Sequence, residues 1–302
     1  MYNLLHKFHI LHKFDRYFIN DNSIPFKVVD SFYKRSNFTI KAQRNGRNLS
    51  LPIINGIGIL NFVSHYEDWW DNIFDVLAIP EETTFVDVGA NTGQTLLKIA
   101  PFHQDMKYIA IEPNVNLIPF LGELGKSNNL SNVQIYNYAL SDKDELVTLY
   151  SRYREDILAT TTPEFRQFTN YSNKQKISAV KGDDLFEKNC IENVSIIKID
   201  VEGGEYKVLR GLINTITEYK PFIVCEILPT MTESFEITKF RENNVSGLFT
   251  LLQELNYSIL NIGLKSLILK SDDFSQNIES CNYIMCPKEK TEVLLSRLES
   301  KL

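Results

Sequence analysis

Seven residues, DVGANTG at positions 87–93, combine an acidic side chain with two glycines in a way that suits ligand binding. They lie between an apolar strand-like segment and the helical pattern of residues 93–100. Gly89 and Gly93 allow the backbone to turn tightly and to approach a ligand, and the start of a helix offers free N–H donors. The spacing matches neither the GxGxxG loop of dinucleotide folds nor a phosphate-binding loop. The aspartate before the first glycine indicates a ligand that carries an amine or another cation.

A second acidic residue, Glu112, ends the apolar segment KYIAIE at 107–112. A carboxylate at the tip of the second strand of a nucleotide-binding unit accepts hydrogen bonds from ribose hydroxyls, and the spacing from Asp87 suits one strand-helix-strand unit. Asp87 taken alone could equally be a turn or helix-capping residue. Together, Asp87, Gly89, Gly93 and Glu112 predict a nucleoside-binding site.

Alternating strands and helices must position these residues, and the sequence from residue 81 onward has that pattern. The strand segments are apolar along most of their length, as in sheets that are buried on both faces. The alternation predicts an α/β fold with a doubly wound, mostly parallel sheet and right-handed crossovers. The predicted strands are 85–88, 107–112, 133–140, 145–150, 194–200, 221–227, 257–262 and 282–286, and the predicted helices are 93–100, 114–127, 205–213 and 240–256.

The N-terminal part of the chain lacks this alternation and is predicted to be a small α+β extension that could cap the site. It combines helical spacing before residue 35, a hairpin around the Asn-Gly at 45–46, and a helix over 65–80. Trp69 and Trp70 on that helix could pack in the core or form a wall for a sugar ring. The predicted parts of the chain are therefore an extension at 1–80, a main domain at 81–290 and a tail at 291–302. Within the main domain, the polar segment 151–176 is predicted to be a loop over a site.

Over roughly residues 50–290, the sequence resembles the FkbM family of S-adenosylmethionine-dependent methyltransferases. The resemblance implies a seven-stranded class I methyltransferase sheet, Rossmann-like and with an antiparallel last strand, in which 81–290 binds S-adenosylmethionine. The sequence departs from the family at Gly203-Gly204, where a bulky residue often precedes the glutamate. The matching segments are VDVGANTGQT (86–95), IEPN (111–114), NYALSD (137–142), IKIDVEGGEYKVLRG (197–211) and PFIVCEI (221–227).

The resemblance also implies which residues surround the cofactor. Glu112 would hold the ribose, with Pro113 beside it, and Asp142 would accept a hydrogen bond from the exocyclic amine of the adenine. Thr92 would contact the cofactor from the start of the helix. The methionine end would be lined by Asp87, Gly89, Asn91 and Gly93, and the adenine by Ala139, Leu140 and Asp142.

Asp200 and Glu226, at the ends of two predicted neighbouring strands, are the candidate catalytic residues. Asp200 could lie beside the amino group or sulfonium of the cofactor, and thus also counts among the cofactor-binding residues, or it could accept a proton from the acceptor hydroxyl. Glu226 could bind acceptor hydroxyls or act as a base. Together the two carboxylates could hold a divalent cation that lowers the pKa of a hydroxyl.

Composition narrows the class of acceptor. The 302 residues carry a net charge of −6, which disfavours nucleic-acid partners. Residues 200–203, at the end of the predicted strand 194–200, are DVEG. They lack the Asp/Asn-Pro-Pro-aromatic tetrad that, by resemblance, is typical of enzymes that methylate base amines. Four cysteines without a CxxC pair favour a reducing compartment, and no apolar run reaches the ~20 residues of a membrane span. A cytoplasmic protein is expected.

The sequence thus predicts an O-methyltransferase acting on a hydroxyl of a sugar, a glycan or a related small molecule. Two alternatives stay open. One is a non-catalytic binding or scaffold protein that has kept the fold. The other is an NAD-dependent oxidoreductase, which the missing GxGxxG loop disfavours.

Overall fold

The computed structural model of the chain describes residues 37–44, 46–58, 61, 70–154, 156–165 and 170–301. The strands are Asn37–Arg44 (β1), Arg47–Ile54 (β2), Thr84–Val88 (β3), Lys107–Ile111 (β4), Val133–Tyr136 (β5), Ala139–Ser141 (β6), Glu145–Ser151 (β7), Asn173–Lys181 (β8), Val194–Ile199 (β9), Phe222–Glu226 (β10), Tyr257–Asn261 (β11), Ser266–Ile268 (β12) and Asn282–Pro287 (β13). The α-helices are Trp70–Leu77 (α1), Gln94–Ile99 (α2), Ile118–Ser127 (α3), Gly182–Lys188 (α4), Glu205–Gly211 (α5), Ile213–Tyr219 (α6), Phe235–Glu254 (α7) and Thr291–Lys301 (α8).

The central sheet has the strand order β12-β11-β13-β10-β9-β3-β4-β5. Strands β5, β4, β3, β9 and β10 pair in parallel, whereas β13 runs antiparallel to both β10 and β11. All five residues of β3 are buried, as expected for a strand covered by helices on both faces. The predicted doubly wound, mostly parallel sheet with a reversed last strand is confirmed. The short strand β12 adds an eighth strand at the edge.

The predicted strand over 133–140 is divided into two. β5 belongs to the central sheet, whereas β6 pairs with β8 in a separate three-stranded sheet. Between them, the side-chain amide of Asn137 donates hydrogen bonds to the carbonyl oxygens of Glu112 (2.9 Å) and Pro113 (3.0 Å). These bonds tie the chain to the end of β4 and redirect it out of the sheet.

The segment 151–176, for which the sequence predicts a loop, is only partly a loop. β8 begins at Asn173 and pairs antiparallel with β7. A 3₁₀ turn forms at Pro163–Phe165. The alternating pattern of β8 is difficult to recognise in the sequence, because polar residues, Asn173, Gln175 and Lys181, occupy three of its five inward positions and only two inward positions are fully buried.

The hairpin predicted near residue 45 is present. β1 and β2 pair antiparallel with Arg44 opposite Arg47, and Gly46 takes a φ of 77° in the turn. The helix predicted over 65–80 is described as α1, and the predictions for residues 1–36 and for Trp69 lie outside the described residues. Trp70 is 1% exposed and its ring meets Phe85 edge-on at 5.7 Å, so it packs in the core.

Residues on both sides of position 80 contribute to one apolar core. Leu49 from β2 and Ile73 from α1 belong to the same buried cluster as Tyr108, and so do Leu294 and Leu298 of α8. Residues 291–301, predicted to be a tail, therefore form a helix with a buried face. The boundary at residue 80 stays a prediction. In the described ranges, no helix is both long and apolar enough to cross a membrane.

Candidate functional site

The loop after β3 brings three strand ends together. The N–H groups of Gly89 and Ala90 donate to the carbonyl of Ile111 at the end of β4 (2.9 and 3.1 Å), and Asp200 N–H donates to Val88 at the end of β3 (3.0 Å). Gly89 has a φ of +84°, and a Cβ at this position would collide with the backbone carbonyl oxygen of Asp200. Only glycine allows this conformation at this distance from β9. The glycine predicted from the sequence therefore sets the geometry of the site.

Glu112 is held at the centre of the edge formed by these loops. Its Oε2 accepts the N–H of Asn91 (2.8 Å) and its Oε1 accepts the N–H of Asn114 (2.8 Å). Asn91 has a left-handed φ of 50°, which asparagine tolerates better than most residues, and this conformation aims its N–H at the carboxylate. Among the described residues, no group donates a hydrogen bond to the buried Oδ1 of Asn91. The site thus presents oxygen acceptors to a ligand that carries donors.

Burial changes the protonation of Glu112. The side chain is 6% exposed, and desolvation raises its pKa from 4.5 to about 7, although the N–H bonds from Asn114 and Asn91 act in the opposite direction. A carboxylate in this state ionises readily when a ligand supplies further hydrogen-bond donors. Glu112 is therefore suited to accept hydrogen bonds from a ligand.

The raised pKa predicts a pH dependence of stability. Because the folded state holds the Glu112 proton more tightly than the unfolded state, the contribution of Glu112 is fully present below pH 4.5 and is lost as the pH rises toward 7. Relative to Glu112→Gln, the free energy of unfolding of the wild-type protein should fall by about 2 kcal/mol between pH 5 and pH 8. Urea unfolding of both proteins across this range measures the difference. A difference that stays constant with pH would contradict the assignment.

Asp87 points into the protein rather than toward the ligand edge. Its side chain is fully buried, its Oδ2 accepts the hydroxyl of Tyr108 (2.6 Å), and its Oδ1 lies 3.3 Å from the ammonium of Lys198. Lys198 Nζ is also 3.5 Å from Asp200 Oδ2. Sequence reasoning missed Lys198. Its sequence nevertheless marks it, because it is a charged residue in an otherwise apolar strand. It also lies two positions before Asp200 and therefore on the same face of the sheet.

Asp200 and Glu226 line one small pocket together with Trp70, Lys198 and Asn282. The side chain of Asp200 is 33% exposed, and Glu226 Oε1 accepts the thiol of Cys281 (3.3 Å). In the described part of the chain, no group of three or more His, Cys, Asp or Glu side chains is placed to hold a metal ion. Lys198 Nζ already pairs with Asp200 Oδ2, which leaves this pocket fewer free carboxylate oxygens than the six or more ligands that a divalent cation takes. The described residues of this pocket do not fit a divalent cation.

The three residues predicted to surround the adenine, Ala139, Leu140 and Asp142, do not form one cluster. Leu140 is 7% exposed and packs in the apolar core. Asp142 Oδ2 forms an ion pair with Arg210 (3.2 Å), and Ala139 is half-buried on β6. The contacts of the described residues do not join these side chains to Glu112. Their role around the adenine stays a prediction.

Thr92 and Gly93 fix the start of α2. Thr92 Oγ1 donates to Asn61 Oδ1 (3.0 Å), and the Asn61 amide donates to the Thr92 carbonyl oxygen (2.5 Å). Gly93 has a φ of +73°, and a Cβ there would press on Leu124. Thr92 is 3% exposed, so its side chain anchors the loop, and a direct contact with the cofactor stays a prediction. Pro113 is half-buried beside Glu112.

Residues 152–154 and 156–165, called the strap here, cross the same edge of the sheet. The amide of Asn91 donates to the carbonyl of Ile157 (2.9 Å), and the amide of Asn114 donates to that of Arg154 (2.8 Å). Asp156 is 1% exposed and joins Arg152 through a two-point ion pair. The strap therefore contacts both loops beside Glu112, and a role in covering a ligand stays a prediction.

Gly203 and Gly204 form the turn that leads from Asp200 into α5. Gly203 has a φ of +101°, and a Cβ there would collide with the ring of Phe165. The N–H of Gly203 donates to Glu205 Oε1 (2.9 Å), and desolvation raises the pKa of Glu205 to about 7. Glu205 thus stabilises the start of its own helix.

The strand order, with a reversed strand between β10 and β11, and the acidic and glycine-rich loops at the carboxyl ends of the parallel strands define a class I methyltransferase fold. The profile described as "Methyltransferase FkbM domain" matches residues 87–259, which is more than half of the chain. The chain belongs to this FkbM methyltransferase domain family.

Individual relatives are distant. "Methyltransferase 1" of Beauveria bassiana is 24% identical over 163 residues, which cover 49% of this chain and 66% of that protein. The crystal structure of a methyltransferase FkbM from Methylobacillus flagellatus is 16% identical and covers 72% of this chain and 47% of its own, with a TM-score of 0.43. The precorrin-6y C5,15-methyltransferase of Geobacter metallireducens is 10% identical, covers 66% and 75%, and has a TM-score of 0.37. The chain thus spans less than two thirds of the length of the first two relatives. The assignment of the fold is based on the strand order of this chain.

Proposed function

We propose that this protein transfers the methyl group of S-adenosylmethionine to a hydroxyl group of a sugar, a glycan or a related small molecule. The observation that carries the proposal is Glu112, a buried carboxylate held by two backbone N–H groups at the end of β4. Membership of the FkbM family supports the activity. The acidic net charge supports a small-molecule or glycan acceptor rather than a nucleic acid.

The residues present fit this cofactor. Its ribose hydroxyls and its α-ammonium are hydrogen-bond donors, and the site offers the carboxylates of Glu112 and Asp200 and the unsatisfied Oδ1 of Asn91 as acceptors. Gly89 leaves no Cβ where the backbone of the loop approaches β9, and the strap lies over the same edge. When bound, S-adenosylmethionine supplies an electrophilic methyl group on a sulfonium. The protein has to orient it and to exclude water.

The pocket that Asp200 and Glu226 share is the proposed acceptor end of the site. Methyl transfer to oxygen requires that the acceptor hydroxyl be hydrogen-bonded to a base and be aligned with the methyl group. Both carboxylates remain the proposed catalytic residues. The Lys198 ammonium lies beside Asp200, and a nearby positive charge makes a carboxylate a weaker base. We therefore assign to Glu226 the role of the base that accepts the proton of the acceptor hydroxyl. Asn282 in the same pocket provides an amide that suits a polyhydroxylated acceptor.

The assay for this function is transfer of a labelled methyl group from S-adenosylmethionine to a panel of glycans and hydroxylated small molecules. Glu226→Gln should lower kcat about 100-fold or more, the range that general bases contribute, with the affinity for S-adenosylhomocysteine changed by less than about threefold. Glu236→Gln, on the exposed face of α7, is the matched control and should retain activity. Full activity of Glu226→Gln would remove its assigned role.

The two alternative functions give different outcomes in the same experiments. A scaffold protein would bind S-adenosylhomocysteine without transfer to any acceptor. An oxidoreductase would bind NAD in preference to S-adenosylhomocysteine. The intact Glu112 site argues against loss of cofactor binding. The cytoplasmic location stays a prediction.

A further inference from the structure

Lys198 is a charged side chain in the centre of the sheet. It lies on β9, which pairs with β3 on one side and β10 on the other, and its side chain is 8% exposed. Burial of an ammonium group is costly unless carboxylates compensate it. Two such groups are present, at 3.3 Å for Asp87 Oδ1 and 3.5 Å for Asp200 Oδ2. The lysine thereby joins the loop after β3 to the loop after β9.

The two carboxylates differ in what they can reach. Asp87 is fully buried, and its other oxygen already accepts the hydroxyl of Tyr108, so it cannot touch a ligand without a rearrangement of the core. Asp200 is 33% exposed and lines the pocket at the carboxyl end of β9. Asp87 and Tyr108 therefore hold the lysine from the inside, and the lysine holds Asp200 at the surface.

A carboxylate held in this way is suited to bind a cationic donor. Its orientation is fixed by the ion pair below it, so little side-chain freedom is lost when a ligand binds. The proposed cofactor carries one ammonium group that matches, on the α-carbon of its amino-acid end. Acceptor hydroxyls are neutral and have no comparable preference for a fixed negative charge.

We propose that Lys198 is a positioning residue that holds Asp200 for recognition of the cofactor α-ammonium. The inference rests on the proposed function, because it assumes a ligand of the S-adenosylmethionine type. It assigns Asp200 to the cofactor and leaves the acceptor hydroxyl to Glu226. The purely structural alternative is that Lys198 only neutralises the buried Asp87.

The experiment compares two ligands that differ in one group. S-adenosylhomocysteine and its desamino analogue, in which hydrogen replaces the α-ammonium, are titrated into the full chain by calorimetry. Lys198→Met alone would leave Asp87 as an unpaired buried charge, and the double variant Asp87→Asn/Lys198→Met avoids this. Asp200→Asn tests the proposed contact directly, with the Asp87–Lys198 pair intact. Lys176→Met, on the exposed face of β8, controls for the loss of one lysine.

We expect the wild-type protein and Lys176→Met to bind S-adenosylhomocysteine about tenfold or more tightly than the desamino analogue, since charge-assisted hydrogen bonds are the strong ones. In Asp200→Asn and in the double variant, this preference should fall below about threefold. The affinity for the desamino analogue should change by less than about threefold in all proteins.

Three outcomes would overturn the inference. The wild-type protein could bind both ligands equally, Asp200→Asn could keep the preference, or the double variant could weaken both ligands by the same factor. The last outcome is the signature of a merely structural lysine. Failure of the folded wild-type protein to bind either ligand would instead contradict the proposed function itself.

Discussion

Gly89→Ala is expected to destabilise the protein more than any other single change at the site. The added Cβ would meet the backbone carbonyl of Asp200, and φ at this position is +84°, a conformation that costs alanine additional energy. The colliding carbonyl belongs to the backbone and cannot move aside as the end of a flexible side chain would. The ends of β3 and β9 would therefore have to separate. We expect the free energy of unfolding to fall by about 3 kcal/mol or more, with loss of S-adenosylhomocysteine binding.

Gly122→Ala is the matched control for this change. Gly122 lies on the exposed side of α3, and a Cβ there meets nothing within 4 Å, so alanine should leave stability unchanged or raise it by about 0.5–1 kcal/mol through its helix propensity. Urea unfolding of both variants measures the contrast. A Gly89→Ala protein as stable as the wild type would contradict the close approach of the two strands.

Glu112→Ala is expected to have the largest effect on cofactor affinity. The carboxylate would accept two charge-assisted hydrogen bonds from the ribose, each contributing on the order of 1.5–3 kcal/mol, so Kd for S-adenosylhomocysteine should rise about 100-fold or more. The backbone N–H groups of Asn91 and Asn114 lose their acceptor in this variant, which loosens both loops. The protein should nevertheless remain folded.

Glu254→Ala, at the exposed end of α7, removes the same side chain away from the site and should leave Kd unchanged. Circular dichroism and thermal unfolding separate a loss of binding from a loss of fold. A folded Glu112→Ala protein with wild-type affinity would show that Glu112 does not hold the ribose.

Local signals explain why the sequence predicts much of this site. The fold follows from apolar strand segments that alternate with helical spacing, and the loop at 87–93 follows from its glycines. Glu112 is recognisable because it directly follows a buried strand. In each case the information is contained in a few consecutive residues, and the parallel topology then brings the strand ends to one edge.

The parts that the sequence did not predict depend on contacts between distant residues. Asp87 is expected at the ligand from its motif, but Tyr108 and Lys198 from the two neighbouring strands pair with it in the core. The division of 133–140 depends on hydrogen bonds from Asn137 to the end of β4. The strap contacts join Asn114 to Arg154, and no spacing rule predicts such a pair.

The proposed function depends on binding of S-adenosylmethionine at the edge of the sheet around Glu112. Calorimetric titration of S-adenosylhomocysteine into the purified wild-type protein measures this binding, with NAD titrated in parallel and with magnesium present or absent. We expect binding with a Kd on the order of micromolar, typical of small-molecule sites, no comparable binding of NAD, and no dependence on magnesium. A folded protein that binds no S-adenosylhomocysteine, or that binds NAD instead, would contradict the proposed function.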